Sequence, residues 1–480
     1  MREPKPWLSC GGNRNMSKEK KLSSLITTDK VEVYGLWALN LEGLNNPQEY
    51  RAGILKFDNN KWSVELIDGL GLYIKSNREV PQIKTIFGKT IEDEIIQLFD
   101  CTVQFSGGDY NNTISVNREI IFSKELLVLN GGSQMSNETQ FKSVSFKYSS
   151  LENVFFEKSG YDLAIDEKSL TLKIDRTKPA IEELGSFLIH DKKFQLESYI
   201  ISSWHWSEIK NNKIIFKFLK YFVVTSDLDI SLSELFIIEK EIVNFFKIFA
   251  GENIFYSQLL TREGNKSGTN LMFFSKDSIN LDNIRNLNFA EQRNLNKVFA
   301  RYFSLLISNW FKKDKNLNRL SDNYLLTLKF NETIENQLIN LTEGIEGYLK
   351  TKNISLLNKL VCMFEQFSDG LNSYLDNSLK KKYNFVSPKK LEGQIKNKKF
   401  LSKYPALCNY LFSVKQTRVN IAHGENKDGA ITDITNLIIC TDLFKYLVRL
   451  FILKKLGFEN DTDSHIKSEI DNILSRTFYD

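Results

Sequence analysis

The first third of the chain alternates hydrophobic and polar residues with the period of a β-strand. Two such runs flank the polar segment Asp58–Asn60, and their hydrophobic positions are Gly53, Leu55, Phe57, Trp62, Val64 and Leu66. Successive side chains of a strand point to opposite faces of a sheet, so this pattern predicts a hairpin with one buried face. Val144, Phe146 and Tyr148 repeat the alternation. We therefore predict an antiparallel sandwich-like or barrel-like domain over residues 31–180.

Residues 181–280 combine strand and helix signals. Ile214–Phe218 is a hydrophobic run typical of a strand. Ser231 is followed three residues later by Glu234, which is the spacing of a capping box at the start of a helix. Gly251 is placed to end that helix. Two further strand-like runs follow, at Ile254–Leu260 and Leu271–Phe274.

From residue 285 to the end, hydrophobic residues recur with the period of an amphipathic helix. Thr432 is expected to cap the N-terminus of the last long helix, and Gly457 to end it. The hydrophobic stripes are Phe299, Phe303, Leu306 and Trp310; Leu338, Leu341, Ile345 and Leu349; and Ile434, Leu437, Ile438, Phe444, Leu447 and Phe451.

These patterns predict an α+β multidomain protein, in which an N-terminal antiparallel β-rich domain precedes a C-terminal all-α helical bundle. The predicted divisions are a flexible segment at 1–28, a β-rich region at 29–280 with a sub-boundary near 180, and a helical domain at 285–480.

Length and composition limit the class of protein. A chain of 480 residues with 42% hydrophobic residues can form two or three packed domains. No hydrophobic run approaches the roughly 18 residues that a membrane-spanning helix needs, and the N-terminus lacks a signal-peptide pattern. We expect a cytoplasmic protein without a membrane partner.

The cysteines and histidines are too widely spaced for a familiar metal site. The five cysteines include no C-x-x-C pair, and the four histidines form no H-E-x-x-H motif. The sequence therefore predicts chemistry that needs neither a metal nor another cofactor.

One stretch of the chain is strongly basic. Residues 380–403 contain nine lysines and one acid, Glu392, which gives this basic segment a net charge of +8. Because the whole chain has a net charge of +5, the remainder sums to −3. Such a cluster indicates an anionic partner, although a solvated and flexible lysine-rich loop has the same composition.

Two other motifs are weaker. Gly88–Thr90 resembles the end of a phosphate-binding loop, but Ile83 occupies the position of that loop's first glycine, so a turn before the strand at Ile95–Phe99 is the better interpretation. Trp204–Trp206 encloses His205 without a second ligand at metal spacing, which favours a packed aromatic patch over a binding site.

The segment Arg418–His423 combines two residue types that act on phosphate esters. Arginine holds a phosphate with a planar fork of donors, and histidine exchanges a proton near neutral pH. RNA supplies its own nucleophile, the 2′-hydroxyl. Positions five apart lie roughly 140° apart around a helix, so the helix must end or bend near Ala422–Gly424, or a second chain must complete the site. The alternative is an arginine and a histidine on opposite faces of an ordinary helix.

Thr417–Gly424 resembles the R-x(4–6)-H motif of HEPN (higher eukaryotes and prokaryotes nucleotide-binding) ribonuclease domains. Val419 stands where that motif usually has a polar residue, and Asn420 follows it. Leu341–Tyr348, which contains Glu346, is similar to the early helix of the HEPN domains in ApeA-like proteins. Glu346, together with Glu425 beside the motif, is identified through this resemblance as a candidate supporting residue.

The N-terminal half resembles the same family. In order along the chain, the similar segments are Gly35–Trp37, Gly53–Phe57, Phe87–Thr90, Leu98–Cys101 and Phe141–Phe156. They are similar to the N-terminal β domain of ApeA-like anti-phage proteins.

The resemblance implies a metal-independent endoribonuclease that acts in abortive infection. HEPN nucleases form homodimers or higher oligomers and leave a 2′,3′-cyclic phosphate and a 5′-hydroxyl. The N-terminal region of ApeA-like proteins is expected to sense a phage-derived trigger and restrain the nuclease. Transfer RNA is an expected target, because many HEPN toxins cleave it.

On this hypothesis, Arg418 holds the scissile phosphate, His423 is the general acid or base, and Asn420 orients one of them. Lys389, Lys390, Lys398 and Lys399 would bind the RNA backbone. The alternative is a non-catalytic HEPN module that binds nucleotide or protein, with the β region as its recognition surface. Burial of Arg418 or His423 in the bundle would favour that alternative, whereas exposure in one open cleft would favour the enzyme.

Overall fold

The fold is taken from a computed structural model of the chain. The residues that it describes are 31–58, 61–67, 69–70, 82–106, 118–123, 125–129, 140–148, 161–166, 171–176, 181–204, 216–252, 256–262, 270–275, 298–299, 301–329, 332–350, 353–380, 382, 387–424 and 428–476. They belong to two compact units. Unit 1 comprises Met1–Ser136 and Ser257–Leu281, and unit 2 comprises Asn137–Tyr256 and Asp282–Asp480.

Unit 1 is built from antiparallel strands. Its strands are β1 (Val31–Ala38), β2 (Arg51–Asp58), β3 (Lys61–Ile67), β4 (Gln82–Thr90), β5 (Ile95–Ser106), β6 (Arg118–Ser123), β7 (Glu125–Leu129), β14 (Tyr256–Arg262) and β15 (Asn270–Ser275). A short 3-10 helix, Glu42–Asn45, lies between β1 and β2.

Six of these strands close into a barrel. The pairings run from β5 to β4, β1, β2, β3 and β6, and β6 pairs again with β5. Strand β5 closes the barrel with its second half, Thr102–Ser106, while its first half, Ile95–Phe99, pairs with β7. Strand β15 extends the sheet beyond β7.

The predicted hairpin with one buried face is confirmed. The pairing of β2 with β3 runs up to Asp58 and Lys61. The alternating residues Leu55, Trp62 and Val64 are fully buried in the barrel core. The two-residue period therefore correctly predicts which face of β2 and β3 points inward.

Trp37 fills the barrel beside two glycines from neighbouring strands. It is fully buried, and a Cβ atom at Gly88 would overlap its ring, while one at Gly53 would lie 3.0 Å from its Cδ1 atom. A Cβ at Gly35 would lie 2.7 Å from the carbonyl oxygen of Lys89. Glycine at these positions lets the strands approach each other around the indole.

The expectation that Gly88–Thr90 forms a turn is wrong. These residues are the end of β4, and Gly88 has a packing role against Trp37. The turn follows directly, where the Asp93 N–H donates to the Thr90 carbonyl and the Thr90 N–H donates to the Glu94 carbonyl.

Unit 2 begins with an antiparallel sheet. Its described strands are β8 (Gln140–Tyr148), β9 (Tyr161–Asp166), β10 (Thr171–Arg176), β11 (Ile181–Ile189), β12 (Lys192–Trp204) and β13 (Phe216–Ser231). Four of them lie in the order β11-β12-β13-β8, and β9 pairs with β10 as a separate hairpin.

Helix α1 (Leu232–Ala250) follows β13 directly and begins as the sequence predicts. The Ser231 side chain accepts the Glu234 N–H, and the Glu234 side chain accepts the Ser231 N–H, which completes the capping box. Gly251 ends the helix at φ +78°, a conformation that glycine adopts without a steric penalty. Both predicted ends of α1 are confirmed.

The other regular elements described in unit 2 are helices. They are α2 (Phe303–Trp310), α3 (Lys315–Leu326), α4 (Ile334–Tyr348), α5 (Leu356–Phe364), α6 (Asp369–Leu379), α7 (Pro388–Gln394), α8 (Lys398–Lys403), α9 (Pro405–His423), α10 (Ile434–Lys455) and α11 (Ser464–Ser475).

Helix α1 joins the sheet of unit 2 to this bundle. Phe246 of α1 packs on Phe222 of β13 with ring centroids 5.0 Å apart. Phe245 packs on Phe303 and Trp310 of α2, with centroids at 5.4 and 6.0 Å. The sheet and the helices of unit 2 therefore share one aromatic core.

The predicted hydrophobic stripes are buried in two of three cases. The stripes that contain Trp310 and Leu338 lie in the core. In the third, Ile434 is 55% exposed, because α10 begins only at this residue. Its N-cap is Asp433, whose carboxylate accepts the Asn436 N–H, so the expected cap at Thr432 is wrong by one position.

The predicted fold class is confirmed: an antiparallel β-rich part precedes a C-terminal set of helices. No helix in the part of the chain that the structure describes is long and apolar enough to cross a membrane.

Candidate functional site

The segment Arg418–His423 is the last part of α9, a helix buried deep in the bundle. Every residue from Ala406 to Ser413 is buried. The buried carboxylate of Asp376 on α6 accepts the N–H groups of Ala406 and Leu407 at 2.7 and 3.0 Å. It thereby caps the first turn of α9, whose N–H groups have no partner within the helix. The start of α9 is thus anchored in the bundle, and Ala422 and His423 in its last turn are exposed.

The end of α9 is also fixed by local contacts. Gly424 follows it at φ +65°, and its N–H donates to the Asn420 carbonyl at 2.8 Å. The Thr417 hydroxyl donates to the Ser413 carbonyl at 2.7 Å and accepts the Ile431 N–H at 2.9 Å. The returning chain is therefore held against α9 beside the candidate residues.

The helix ends where the sequence predicts, but this end does not bring the two candidate residues together. His423 is still helical, so it remains roughly 140° around the axis from Arg418 and about 7.5 Å further along it. Within one chain, Arg418 and His423 lie on different faces of α9. The second possibility, completion of the site by another chain, stays a prediction.

Arg418 is half-buried beside an acid from α4. Its Nη2 atom lies 3.2 Å from the Glu346 carboxylate, and the two side chains are 23% and 33% exposed. The Arg418 Nε atom is buried and has no hydrogen-bond partner among the described residues. Glu346, the candidate supporting residue, thus contacts the arginine of the motif, while the guanidinium Nε remains unpaired within the described structure.

His423 is exposed as the last residue of α9. Asn420 is half-buried three positions before it, and residues three apart are neighbours on one helix face. Of the two partners considered for Asn420, the helix therefore places it on the side of His423 and away from Arg418. Glu425 lies outside the described residues. Neither member of the Arg418–His423 pair is fully buried in the bundle, the arrangement that would have favoured a non-catalytic module. The two residues also do not face one cleft within a single chain, the arrangement that would have favoured the enzyme.

The basic segment is largely helical. It begins directly after α6 and includes all of α7 and α8, while residues 381 and 383–386 lie outside the described part of the chain. Asn397 caps α8 by accepting the Phe400 N–H at 2.9 Å, and Leu391, Ile395 and Phe400 are buried. These buried residues anchor the segment, so a fully solvated loop does not describe it.

The four candidate lysines of this segment differ in their surroundings. Lys390 pairs with Asp428 at 3.2 Å, and Lys398 donates to the carbonyl groups of Glu392 and Ile395 at the end of α7. Lys389 and Lys399 are exposed, and neither has an ion-pair partner among the described residues. The latter two are the better placed to bind an anion.

Two contacts of the site could not be found from the sequence. The Lys359 ammonium of α5 donates to the Glu346 carbonyl at 3.3 Å, and Asp376 caps α9 from a distance of 30 residues along the chain. Each of these residues is one lysine or aspartate on an amphipathic helix, so only the packing of the helices reveals its partner.

Among the described residues, the remaining chemistry-bearing groups do not form a second centre. Burial raises the pKa of the Cys408 and Cys440 thiols to about 12, so neither is a nucleophile near neutral pH. No cluster of three or more histidine, cysteine or acidic side chains suited to a metal occurs among the described residues. Trp204 ends β12, and His205 and Trp206 lie outside the described part.

A family model described as ApeA N-terminal domain 1 matches residues 32–302, which is more than half of the chain. The match contains the barrel strands and helix α1, and it ends just before α2. Neither a curated protein nor a solved structure matches the chain.

Proposed function

The chain belongs to the ApeA N-terminal domain 1 family, and from this we propose that it is an anti-phage defence effector whose helical C-terminal part cleaves RNA. The observation that carries the proposal is that half-buried Arg418 and exposed His423 lie in the last turns of a helix that is mostly buried. Each residue is partly or fully accessible to solvent, so each is available to a phosphate ester on its own face of the helix.

Arg418 would hold the scissile phosphate and neutralise the charge that develops on it. His423 would exchange a proton with the 2′-hydroxyl or with the leaving 5′-oxygen. The 2′-hydroxyl attacks the phosphorus, the bond to the 5′-oxygen breaks, and a 2′,3′-cyclic phosphate and a 5′-hydroxyl remain. Asn420 lies on the His423 side of the helix and would orient the imidazole.

Glu346 would hold the Arg418 side chain in place before RNA binds. The pair is joined by one contact of 3.2 Å between partly exposed groups, and such pairs contribute only about 0–1 kcal/mol. A phosphate can therefore take over part of the guanidinium without a large loss of stability.

A homodimer would solve the angular problem posed by α9. A two-fold interface places the same surface of each chain opposite itself, so the arginine of one protomer and the histidine of its partner can face one phosphate. Two hydrophobic residues near the motif are exposed. Ala422 lies at the end of α9, and Ile434 begins α10, close in the chain to Ile431, whose N–H donates to Thr417 of α9. These residues are suited to burial between two copies.

The decisive experiment is to sequence RNA ends from cells that express the protein. The wild type should produce new 5′-hydroxyl ends, with transfer RNA among the substrates, and a purified sample should retain its activity in EDTA. Arg418→Ala and His423→Ala should each reduce cleavage at least about 10²-fold, while His465→Ala, a change at another exposed histidine, should have no effect.

Folding of each variant is checked by its thermal unfolding, since the two candidate residues contribute little to the core. Cleavage that survives in both variants would contradict the assignment of the site. A wild-type protein that binds RNA and leaves every end unchanged would support the non-catalytic alternative.

A further inference from the structure

A lysine from a neighbouring helix lies close to the candidate site. Lys359 is half-buried and donates to the Glu346 carbonyl at 3.3 Å, while the carboxylate of the same glutamate contacts Arg418 at 3.2 Å. Standard bond lengths put a glutamate carbonyl oxygen within roughly 6 Å of its carboxylate, so the two cationic groups are at most about 13 Å apart.

The residue before Lys359 connects the same helix to the basic segment. Asn358 is buried, its amide donates to the Gln394 carbonyl at 2.9 Å, and its oxygen accepts the Lys396 N–H at 2.8 Å. These bonds fasten the first turn of α5 to the junction between α7 and α8. Lys359 therefore lies on the helix that links the surroundings of Arg418 to the basic segment.

The partner of Lys359 leaves its charge available. Lys390 and Lys403 are each paired with a carboxylate, of Asp428 and Asp369 respectively. Lys359 contacts a neutral carbonyl, and no acid lies within ion-pair distance of it among the described residues. Its flexible four-carbon stem allows the ammonium to move from this carbonyl to a phosphate.

We propose that Lys359 contacts the RNA backbone and joins Arg418 to the basic segment in one continuous phosphate-binding path. The proposal rests on the proposed function, because it assumes that RNA is cleaved at Arg418. A strand that brings one phosphate with every nucleotide can meet Arg418, Lys359 and the exposed Lys399 in succession. On this path the RNA would run from Arg418 across the start of α5 toward the junction of α7 and α8, to which Asn358 is bonded.

A purely structural role makes a different prediction. As a cap on the C-terminal carbonyl of α4, Lys359 would contribute to stability, and its loss would not change how RNA binding depends on salt. Loss of one phosphate contact lowers the slope of log K against log salt by about 0.7–0.9. The slope therefore separates the two roles.

The experiment measures the binding of bulk transfer RNA, and of a labelled single-stranded oligoribonucleotide of mixed sequence, over a range of salt. All proteins carry His423→Ala in the full-length chain, so the RNA stays intact. Lys359→Met removes the charge and keeps the stem, Lys359→Arg keeps the charge, and Lys467→Met is the control. Lys467 is equally half-buried on a bundle helix, with its ammonium 5.5 Å from the ring centroid of Tyr374.

We expect the affinity of the parent to fall about threefold more than that of Lys359→Met between 50 and 200 mM salt. Lys359→Arg and Lys467→Met should retain the slope of the parent. In the cleaving protein, Lys359→Met should raise KM and change kcat little, as expected when a contact is equal in the ground and transition states.

Two results would overturn the inference, and they are distinguishable. If the parent binds RNA with a salt-dependent affinity and Lys359→Met retains the same slope, Lys359 is only a helix cap and the proposed function is unaffected. If the parent fails to bind either RNA and the wild type fails to cleave, the proposed function falls as well.

Discussion

Arg449 of α10 is expected to be among the most sensitive positions for stability. It is 5% exposed, its Nε donates to the Ile248 carbonyl at 2.9 Å, and its Nη2 donates to the Phe249 carbonyl. Both acceptors are in the last turn of α1, where carbonyl groups have no partner within the helix. Arg449→Met should therefore lower the free energy of unfolding of unit 2 by about 3–5 kcal/mol, because a bond from a charged donor contributes about 1.5–3 kcal/mol and the carbonyls are left buried.

A substitution at Gly251 also tests the contact between Arg449 and the end of α1. A Cβ at this position would overlap the Arg449 guanidinium, and the backbone has φ +78°. In the Arg449→Met background, Gly251→Ala should cost only the left-handed strain of about 1–2 kcal/mol. In the wild type it should cost at least about 1 kcal/mol more, since the arginine must also move.

Urea titration followed by circular dichroism measures these differences, and hydrogen exchange at the end of α1 locates them. The control is Arg476→Met, because the Arg476–Asp442 pair is 44% and 28% exposed and should contribute less than about 1 kcal/mol. An Arg449→Met protein as stable as this control would refute the reasoning. The reasoning would also be refuted if the loss of unfolding free energy in the double variant equalled the sum of the losses in Arg449→Met and Gly251→Ala.

Three further outcomes follow from the structure. Charge reversal at Lys389 and Lys399 should flatten the salt dependence of RNA binding without lowering the unfolding temperature; an unchanged slope would mean that both are merely solvated. Mixing Arg418→Ala chains with His423→Ala chains should restore part of the lost cleavage, whereas a monomer that cuts RNA in sedimentation-controlled assays would contradict the shared site. Burial lowers the pKa of Lys445 from 10.5 to about 8, so between pH 8 and pH 10.5 the unfolded chain binds more protons than the folded one. The stability of the wild type relative to Lys445→Met, measured by urea titration, should therefore rise with pH over this range. A difference that does not change with pH would count against the burial of Lys445.

Local signals in the sequence predict local structure well. The spacing of Ser231 and Glu234 identifies the start of α1, and the alternation around Trp62 identifies the inward face of the β2–β3 hairpin. Both depend on contacts between residues close together in the chain. Gly424 likewise marks the end of α9, because only a backbone preference is involved.

Contacts between distant residues were not predictable. The sequence around Gly88 favours a turn, because nothing local indicates that Trp37, on another strand of the barrel, packs against this glycine. The pair of Arg418 with Glu346 and the link of Lys359 to the same glutamate depend on how α4, α5 and α9 pack. The resemblance suggested Glu346 as a supporting residue, but no spacing in the sequence indicates which atom it contacts.

The shared aromatic core of unit 2 has a practical consequence for work with fragments. The family match ends at residue 302, which makes residue 303 an obvious starting point for expressing the helical part by itself. Such a fragment would lack α1, and Phe303 and Trp310, which pack on Phe245, would become exposed to water. An insoluble or inactive fragment from residue 303 would therefore reveal nothing about Arg418 and His423, and toxicity has to be measured with a chain that retains the sheet and α1.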